Sequence, residues 1–201
     1  MKLRYSPTSP FVRKVRIVLI ETGLDKRVEL VPTDPWNAET DLGRDNPVGK
    51  VPTLIDDEGH RVFDSDVICD YLDGMHGGTR LIPIEGKARL AALTRQSMCD
   101  GMLDAAVARR IETAMRPEAM RWPWWLDRQK AAVDRGLDKL EVEASTLTDL
   151  AGIGDIAAAC VLGYLDFRFA ADNWRGERPG LAAWFERQLR RPSMMATAPP
   201  T

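Results

Sequence analysis

Hydrophobic residues first recur at helical spacing in Val12, Val15, Val18 and Leu19, with Thr22 on the same face. Ser9 and Pro10 stand ahead of this run as a helix start, and Gly23 follows it as a stop. On either side the period shortens to that of strands: Lys2 to Tyr5 before the helix, and Val28, Leu30 and Pro32 in alternation after it. A polar stretch from Thr33 to Asn46 has no period. Pro52 then leads a third strand to Ile55, Asp56, Asp57, Glu58 and Gly59 make a hairpin turn, and Arg61, Val62 and Phe63 return as a fourth strand. Ser65 opens a helix carrying Val67, Ile68, Tyr71 and Leu72. The order is β-α-β, an irregular crossover and β-β-α, which predicts a small α/β domain over residues 1–76.

Between Gly74 and Gly86 glycine and proline replace any regular pattern, and a domain boundary is expected there. Everything from 86 to 201 reads as helix. Lys87 to about Ala114 places Leu90, Leu93, Met98, Met102 and Val107 on one side, and a second helix is expected from Trp124 to about Leu147. A third, from Asp155 through Ile156 to Phe169, is apolar nearly all round and should be central. A fourth spans Pro179 to Leu189, ahead of a tail rich in proline that reads as loose.

Charge and composition narrow the function classes. With 28 basic against 30 acidic side chains in 201 residues, nothing favours nucleic acid or an anionic membrane as partner. No apolar run reaches the roughly 20 residues that span a bilayer, and Arg4 interrupts any signal-peptide core, so the expected location is cytoplasmic. Cys69, Cys99 and Cys160 are scattered and odd in number, which suits buried free thiols rather than a disulfide framework or zinc site. His60 and His76 are too few for a metal cluster or a Ser-His-acid triad, and no metal is expected.

The stretch Asn46-Pro-Val-Gly-Lys-Val-Pro-Thr-Leu54 carries the most chemistry. A proline at a strand start removes a ladder donor and belongs at an edge or bend. A cis Val51–Pro52 bond leaves the Val51 amide and carbonyl open to an extended peptide, the strand-addition mode of peptide capture. A hairpin entry without any ligand fits the same residues.

Four segments in this order make the chain resemble the glutathione S-transferase superfamily over nearly its whole length. They are Ser9-Pro-Phe-Val-Arg-Lys-Val15, Asn46 to Leu54, Phe63-Asp-Ser65, and Gly154-Asp-Ile-Ala-Ala-Ala-Cys-Val-Leu-Gly-Tyr-Leu-Asp-Phe167. The resemblance is to bacterial, serine-type members. It implies an α/β plus all-α architecture: a thioredoxin-like N-terminal domain that binds glutathione, and a C-terminal helical bundle over 86–201. It implies glutathione as co-substrate, no metal, a small electrophile as second substrate, and a homodimer with the first long helix in its seam.

The resemblance assigns the thiol-activating role to Ser9, with Thr8 and Tyr5 as rivals in the same loop. Lowering a thiol of reference pKa near 8.5 by about two units takes roughly 2.7 kcal/mol of preference for the thiolate, within reach of a hydroxyl donor and a helix N-terminus. A serine before proline at a helix start is equally an ordinary N-cap. Val51, held by Pro52, would bond the cysteinyl unit through its backbone, and Lys50 would meet a carboxylate. Ser65 and the amides behind it would take the γ-glutamyl carboxylate while Asp64 accepts from the amine; relatives more often have glutamate there, and Ser65 also reads as a plain cap.

Other features are less committed. Trp36, Trp122, Trp124 and Trp125 suit packing better than an apolar pocket, while Asp100, Asp104 and Arg109 face either a cleft or water. Asp155 has Gly152 three positions earlier, so half of a capping box is missing. The function expected is conjugation of glutathione to an electrophile. The alternatives are a non-catalytic binding protein of the same fold, or a glutathione-dependent peroxidase or reductase, the reductase disfavoured because Ser6 to Pro10 contains no cysteine.

Overall fold

The structure is a computed structural model that describes residues 1–200. It divides into two compact units, Met1–Ile84 joined by the segment from Pro192 onward, and Glu85–Arg191.

The first unit is built on a four-stranded mixed sheet, β1 (Lys2–Tyr5), β2 (Glu29–Pro32), β3 (Thr53–Ile55) and β4 (Arg61–Val62), in the order β2-β1-β3-β4. β2 runs parallel to β1, and β3 and β4 are antiparallel to their neighbours. Leu30, Leu3, Leu54 and Val62 align across the sheet, and Leu3 and Leu54 are fully buried. Helices α1 (Pro10–Glu21) and α2 (Ser65–Asp73) pack against each other, and Val15 and Val18 of the first and Ile68 and Leu72 of the second are all removed from water. Burial of each such side chain is worth about 1.5–3 kcal/mol.

Local chemistry sets where these helices begin and end. Ser9 caps α1 by accepting the Val12 N–H at 3.3 Å, with Pro10 in the first turn where its missing N–H costs nothing. At the other end Gly23, at φ +70°, lets the Leu24 N–H reach Leu19 O at 2.8 Å while its own N–H bonds Ile20 O at 3.1 Å, a Schellman closure sealed by buried Leu24. The last residue of α2, Asp73, is buried. Its Oδ1 accepts from the Leu81 N–H (2.8 Å) and His76 Nε2 (3.1 Å), and its Oδ2 from Arg80 Nε (2.7 Å) and the Ile82 N–H (3.1 Å). This carboxylate organises the glycine-rich stretch after α2.

The second unit is helical: α3 (Gly86–Ala114), α4 (Pro123–Val142), α5 (Ile153–Phe169) and α6 (Pro179–Gln188). As its all-round apolar character predicts, α5 is the centre, and every residue from Ile153 to Leu165 is buried. α3 differs from expectation. Its inward face is Gln96, Cys99, Met102, Leu103, Ala105, Ala106, Arg109 and Glu112, whereas Leu90 is 68% exposed. Of the expected stripe Met102 is buried and Leu93, Met98 and Val107 are half-buried, so Leu90 alone falls outside it, while small and polar residues share the inward face. α4 stops at Val142 and gives way to a 3-10 turn at Ala144–Thr146. The missing partner of Asp155 is Thr148: Asp155 Oδ2 accepts from both its N–H (3.1 Å) and its hydroxyl, and Oδ1 accepts from Arg95 at 3.0 Å. The cap at α5 is thereby completed from seven residues upstream.

The segment expected to be a loose tail is ordered. It forms a short helix, α7 (Pro192–Ala196), packed on α1. Buried Arg13 donates to Met194 O (3.2 Å) and Thr197 Oγ1 (3.4 Å), Arg16 to Ala196 O (3.0 Å), and the Ser193 hydroxyl to Glu21 (2.5 Å). Two backbone carbonyls thus find guanidinium donors on α1, a pairing that the proline content of the segment conceals.

Candidate functional site

The segment between β2 and β3 is shaped by one buried side chain. Asn46, 3% exposed, donates from Nδ2 to Lys50 O at 2.9 Å and accepts the Val48 N–H at 3.0 Å, while its carbonyl takes the Gly49 N–H at 2.8 Å. Gly49 sits at φ +66°, a conformation that a side chain would strain. Thr53 adds a hydroxyl bond to Lys50 O at 3.0 Å. Upstream, Asp45 is bracketed by Arg4 (2.6 Å) and Arg61 (3.3 Å), and Arg4 also grips Asp41 at 2.6 Å. The Arg4 hydrogen bond holds the Asp41 carboxyl below its ordinary value. The turn is therefore fixed to β1 and β4 before any ligand arrives.

What this frame presents is a backbone without partners. The Val51–Pro52 peptide is cis, Pro52 is buried, and among the described residues neither the N–H nor the C=O of Val51 has a hydrogen-bond partner. Backbone groups in a residue only 9% exposed ordinarily find one. The Val51 side chain packs with Val12 and Leu42, and Tyr5 lies against the same cluster. Tyr5 thus supports the site by packing. Lys50 is exposed, and no carboxylate among the described residues pairs with it.

Val12 is also the residue whose N–H Ser9 caps, so the packing cluster joins the start of α1 to Val51. A hydroxyl has one donor and two acceptor sites. Ser9 uses an acceptor site for its cap, and among the described residues its O–H hydrogen has no acceptor. Thr8, also half-buried, lies with its hydroxyl 3.4 Å from that of Ser6. The capping reading of Ser9 is observed, and it leaves the donor available.

At α2 the capping residue is Asp64, not Ser65. Asp64 Oδ1 accepts the Asp66 N–H at 3.1 Å and the Ser65 hydroxyl at 3.2 Å. The shorter acid can fold back on its own helix because its carboxylate reaches the second amide ahead. Ser65 is buried as the first helical residue, and the Ser65 and Val67 amides have no partner among the described residues. Free amides at a helix start form an anion cradle. Lys14, fully buried in α1, bonds Asp66 at 2.5 Å and ties this helix start to α1. Sequence reading missed that tie and the Asn46 bracket. The visible signals were a lysine within an otherwise apolar helix face and an asparagine opening a Pro-x-Gly turn.

Residues outside this frame resolve differently. Arg109 pairs with Asp172 at 2.7 Å and lies over the Phe169 ring. Trp122 stacks with Trp125 and lies tilted against Trp124, yet Trp122 and Trp124 stay 57% and 55% exposed, so packing accounts for only part of the cluster. All three cysteines are buried and outside any disulfide. No group of three or more metal-binding side chains occurs among the described residues, and no helix is long and apolar enough to cross a membrane.

Comparison with known proteins is consistent across the chain. Residues 8–75 match the family described as glutathione S-transferase, N-terminal domain, and residues 124–187 the corresponding C-terminal domain. The Escherichia coli (strain K12) protein named "Uncharacterized GST-like protein YibF" is 37% identical, covering 100% of this chain and 99% of its own. A glutathione transferase family member from Pseudomonas fluorescens Pf-5, solved with bound glutathione, is 44% identical with a TM-score of 0.96, covering 100% of this chain and 99% of its own. A glutathione S-transferase from Methylobacillus flagellatus KT, solved with glutathione, is 35% identical with a TM-score of 0.92 and covers 99% of both chains.

Proposed function

Because the chain belongs to the glutathione S-transferase family, we propose that it binds glutathione and activates the thiolate for attack on an electrophilic co-substrate. The observation that carries this reading is the unpartnered Val51 backbone, linked through Val12 to a serine whose O–H hydrogen is free. The cysteinyl unit of glutathione pairs with Val51 beside Pro52, and its thiolate accepts from the Ser9 hydroxyl, with Thr8 flanking. Lys50 meets the glycyl carboxylate. The γ-glutamyl carboxylate lies on the Ser65 and Val67 amides, with the Ser65 hydroxyl turning from Asp64 to donate to it, while the Asp64 oxygen not engaged in capping accepts from the amine. Solved relatives with bound glutathione support this occupant. The protein contributes no covalent step: it stabilises the thiolate once its proton has passed to solvent, and the sulfur forms the new bond as the electrophile releases its leaving group or opens its acceptor π bond.

Calorimetric titration of glutathione, with thiolate absorbance followed against pH, tests the reading. Saturable binding with a bound thiol pKa about two units below the free reference value is expected. Binding with an unshifted thiol would leave a carrier or sensor, and absence of binding a retained fold used for partner recognition.

Cytoplasmic residence and a homodimer with α3 in its seam belong to the same proposal, the second supported by the exposure of Leu90 on that helix. Sedimentation at micromolar concentration is expected to give a dimer that Leu90→Glu weakens. A monomer in the unsubstituted protein would refute this part alone.

A further inference from the structure

The start of α2 poses an electrostatic problem that its free amides alone do not solve. In the transferase reading the Ser65 and Val67 amides receive a carboxylate, yet two acids, Asp64 and Asp66, stand at the same helix start, and Asp70 follows one turn further along. An acid in the first turn draws on the same positive helix end that an incoming anion needs, and like charges a few ångströms apart repel. Asp64 has a use there, since it caps the helix through the Asp66 N–H at 3.1 Å and keeps an oxygen for the ligand amine. The charge of Asp66 has no such counterpart on the ligand.

Its counter-charge comes from α1. Lys14 Nζ lies 2.5 Å from Asp66 Oδ1, and the Lys14 side chain is fully buried whereas that of Asp66 is 45% exposed. An ammonium taken wholly out of water is costly, and a lysine that served only as a surface tie would keep its head in solvent. Burial also holds this charge in place, where its attraction for an anion is weakened less than it is across water. Lys14 stands five residues after Ser9, on the helix that carries the hydroxyl assigned to the thiol, and α1 packs directly against α2. One buried cation therefore lies behind the surface that has to accept an anion.

We propose that Lys14, by neutralising Asp66, allows the start of α2 to accept the γ-glutamyl carboxylate and so sets the preference for ligands that carry it. Every charge at the helix start is then matched: the ligand ammonium by Asp64, the ligand carboxylate by the amides and the Ser65 hydroxyl, and Asp66 by Lys14. The inference rests on the transferase reading and adds to it a residue that acts through Asp66 and touches no ligand atom.

Calorimetry on the full chain tests it with two ligands: glutathione, and 4-aminobutyryl-cysteinylglycine, which keeps the amine, the thiol and the glycyl carboxylate but lacks the γ-glutamyl carboxylate. Lys14→Met is expected to weaken glutathione about tenfold and the analogue less than about twofold. Lys14→Met with Asp66→Asn removes both charges together and is expected to return glutathione to within about threefold of the unsubstituted protein, because the helix start again faces no uncompensated Asp66. A tie that only holds two helices together behaves otherwise: its loss lowers both affinities alike, and removing its second half restores neither. Equal losses for the two ligands, or a double variant as weak as Lys14→Met, would overturn the proposal. Glutathione binding no tighter than the analogue to the unsubstituted protein would overturn it too, while leaving glutathione as the occupant. Absence of glutathione binding would refute the transferase reading, and this inference with it.

Discussion

Asp73→Ala is expected to lower the free energy of unfolding by about 3–5 kcal/mol, the usual consequence of removing the acid from a buried, hydrogen-bonded charge pair. The carboxylate is 1% exposed and satisfies four donors: the amides of buried Leu81 and Ile82, the ring of His76 and the guanidinium of Arg80. Alanine leaves all four without an acceptor, and asparagine recovers only part because its amide replaces one accepting oxygen with a donor. His76 cannot compensate, since its Nδ1 already accepts the Gly78 N–H and its proton is committed to Nε2.

The same network dictates a pH dependence. Burial pushes the Asp73 carboxyl up, but the Leu81 amide, His76, Arg80 and the Ile82 amide together outweigh it and hold the group below its ordinary value of 3.8. A carboxyl depressed on folding adds stability that is complete above its unfolded value and is lost as pH falls through the folded one. Urea unfolding should therefore give an Asp73→Ala deficit that is constant from neutral pH to about 5 and shrinks below about 4. A deficit independent of pH down to 3 would mean that packing, and not the charge, holds the loop.

Ser9 carries the largest expected effect on activity. Removing the one hydroxyl that faces a developing or stabilised anion typically costs 10²–10³-fold in kcat, and Ser9→Ala should fall in that range, at about 10² or more. Glutathione affinity should change less than about threefold, because the remaining contacts bind ground and transition states alike. The midpoint of bound-thiol ionisation should rise toward that of free glutathione. Alanine also removes the α1 cap, worth about 1 kcal/mol, so Ser9→Gly is the sharper variant: glycine sacrifices only a few tenths of that cap yet lacks the hydroxyl. Comparable loss in both variants at unequal stability assigns the effect to the hydroxyl. Full activity in Ser9→Gly with loss in Thr8→Val would transfer the role to Thr8.

Much of this architecture could be read along the chain because its causes are local. The cap, proline and Schellman glycine of α1 lie within the helix's own sixteen or so residues, and α5 declares itself by being apolar on every side. Pro52 at a strand start marked the place where pairing stops. What escaped reading depends on partners far away or on geometry that composition does not encode. Asp73 looks like a solvated helix end until the loop behind it returns two amides. Lys14 finds Asp66 from 52 residues away. Asp64 also caps α2 with one of its oxygens, because a shorter acid bends back onto the amide two residues on. The inward face of α3 was legible only in part: Met102 stood in the expected stripe, whereas Gln96, the two alanines and Glu112 beside it did not.

The clasp between α1 and the α7 segment has a consequence for the order of assembly. Arg13 and Thr197 stand 184 residues apart, with the whole helical unit encoded between them. On a ribosome the sheet and α1 emerge first, yet the acceptors for a buried guanidinium emerge after the helical unit has been made. The first unit is thus completed only after the helical unit has been made. Until then the helix bearing Ser9 presents an unfilled face, open to whatever meets the nascent chain.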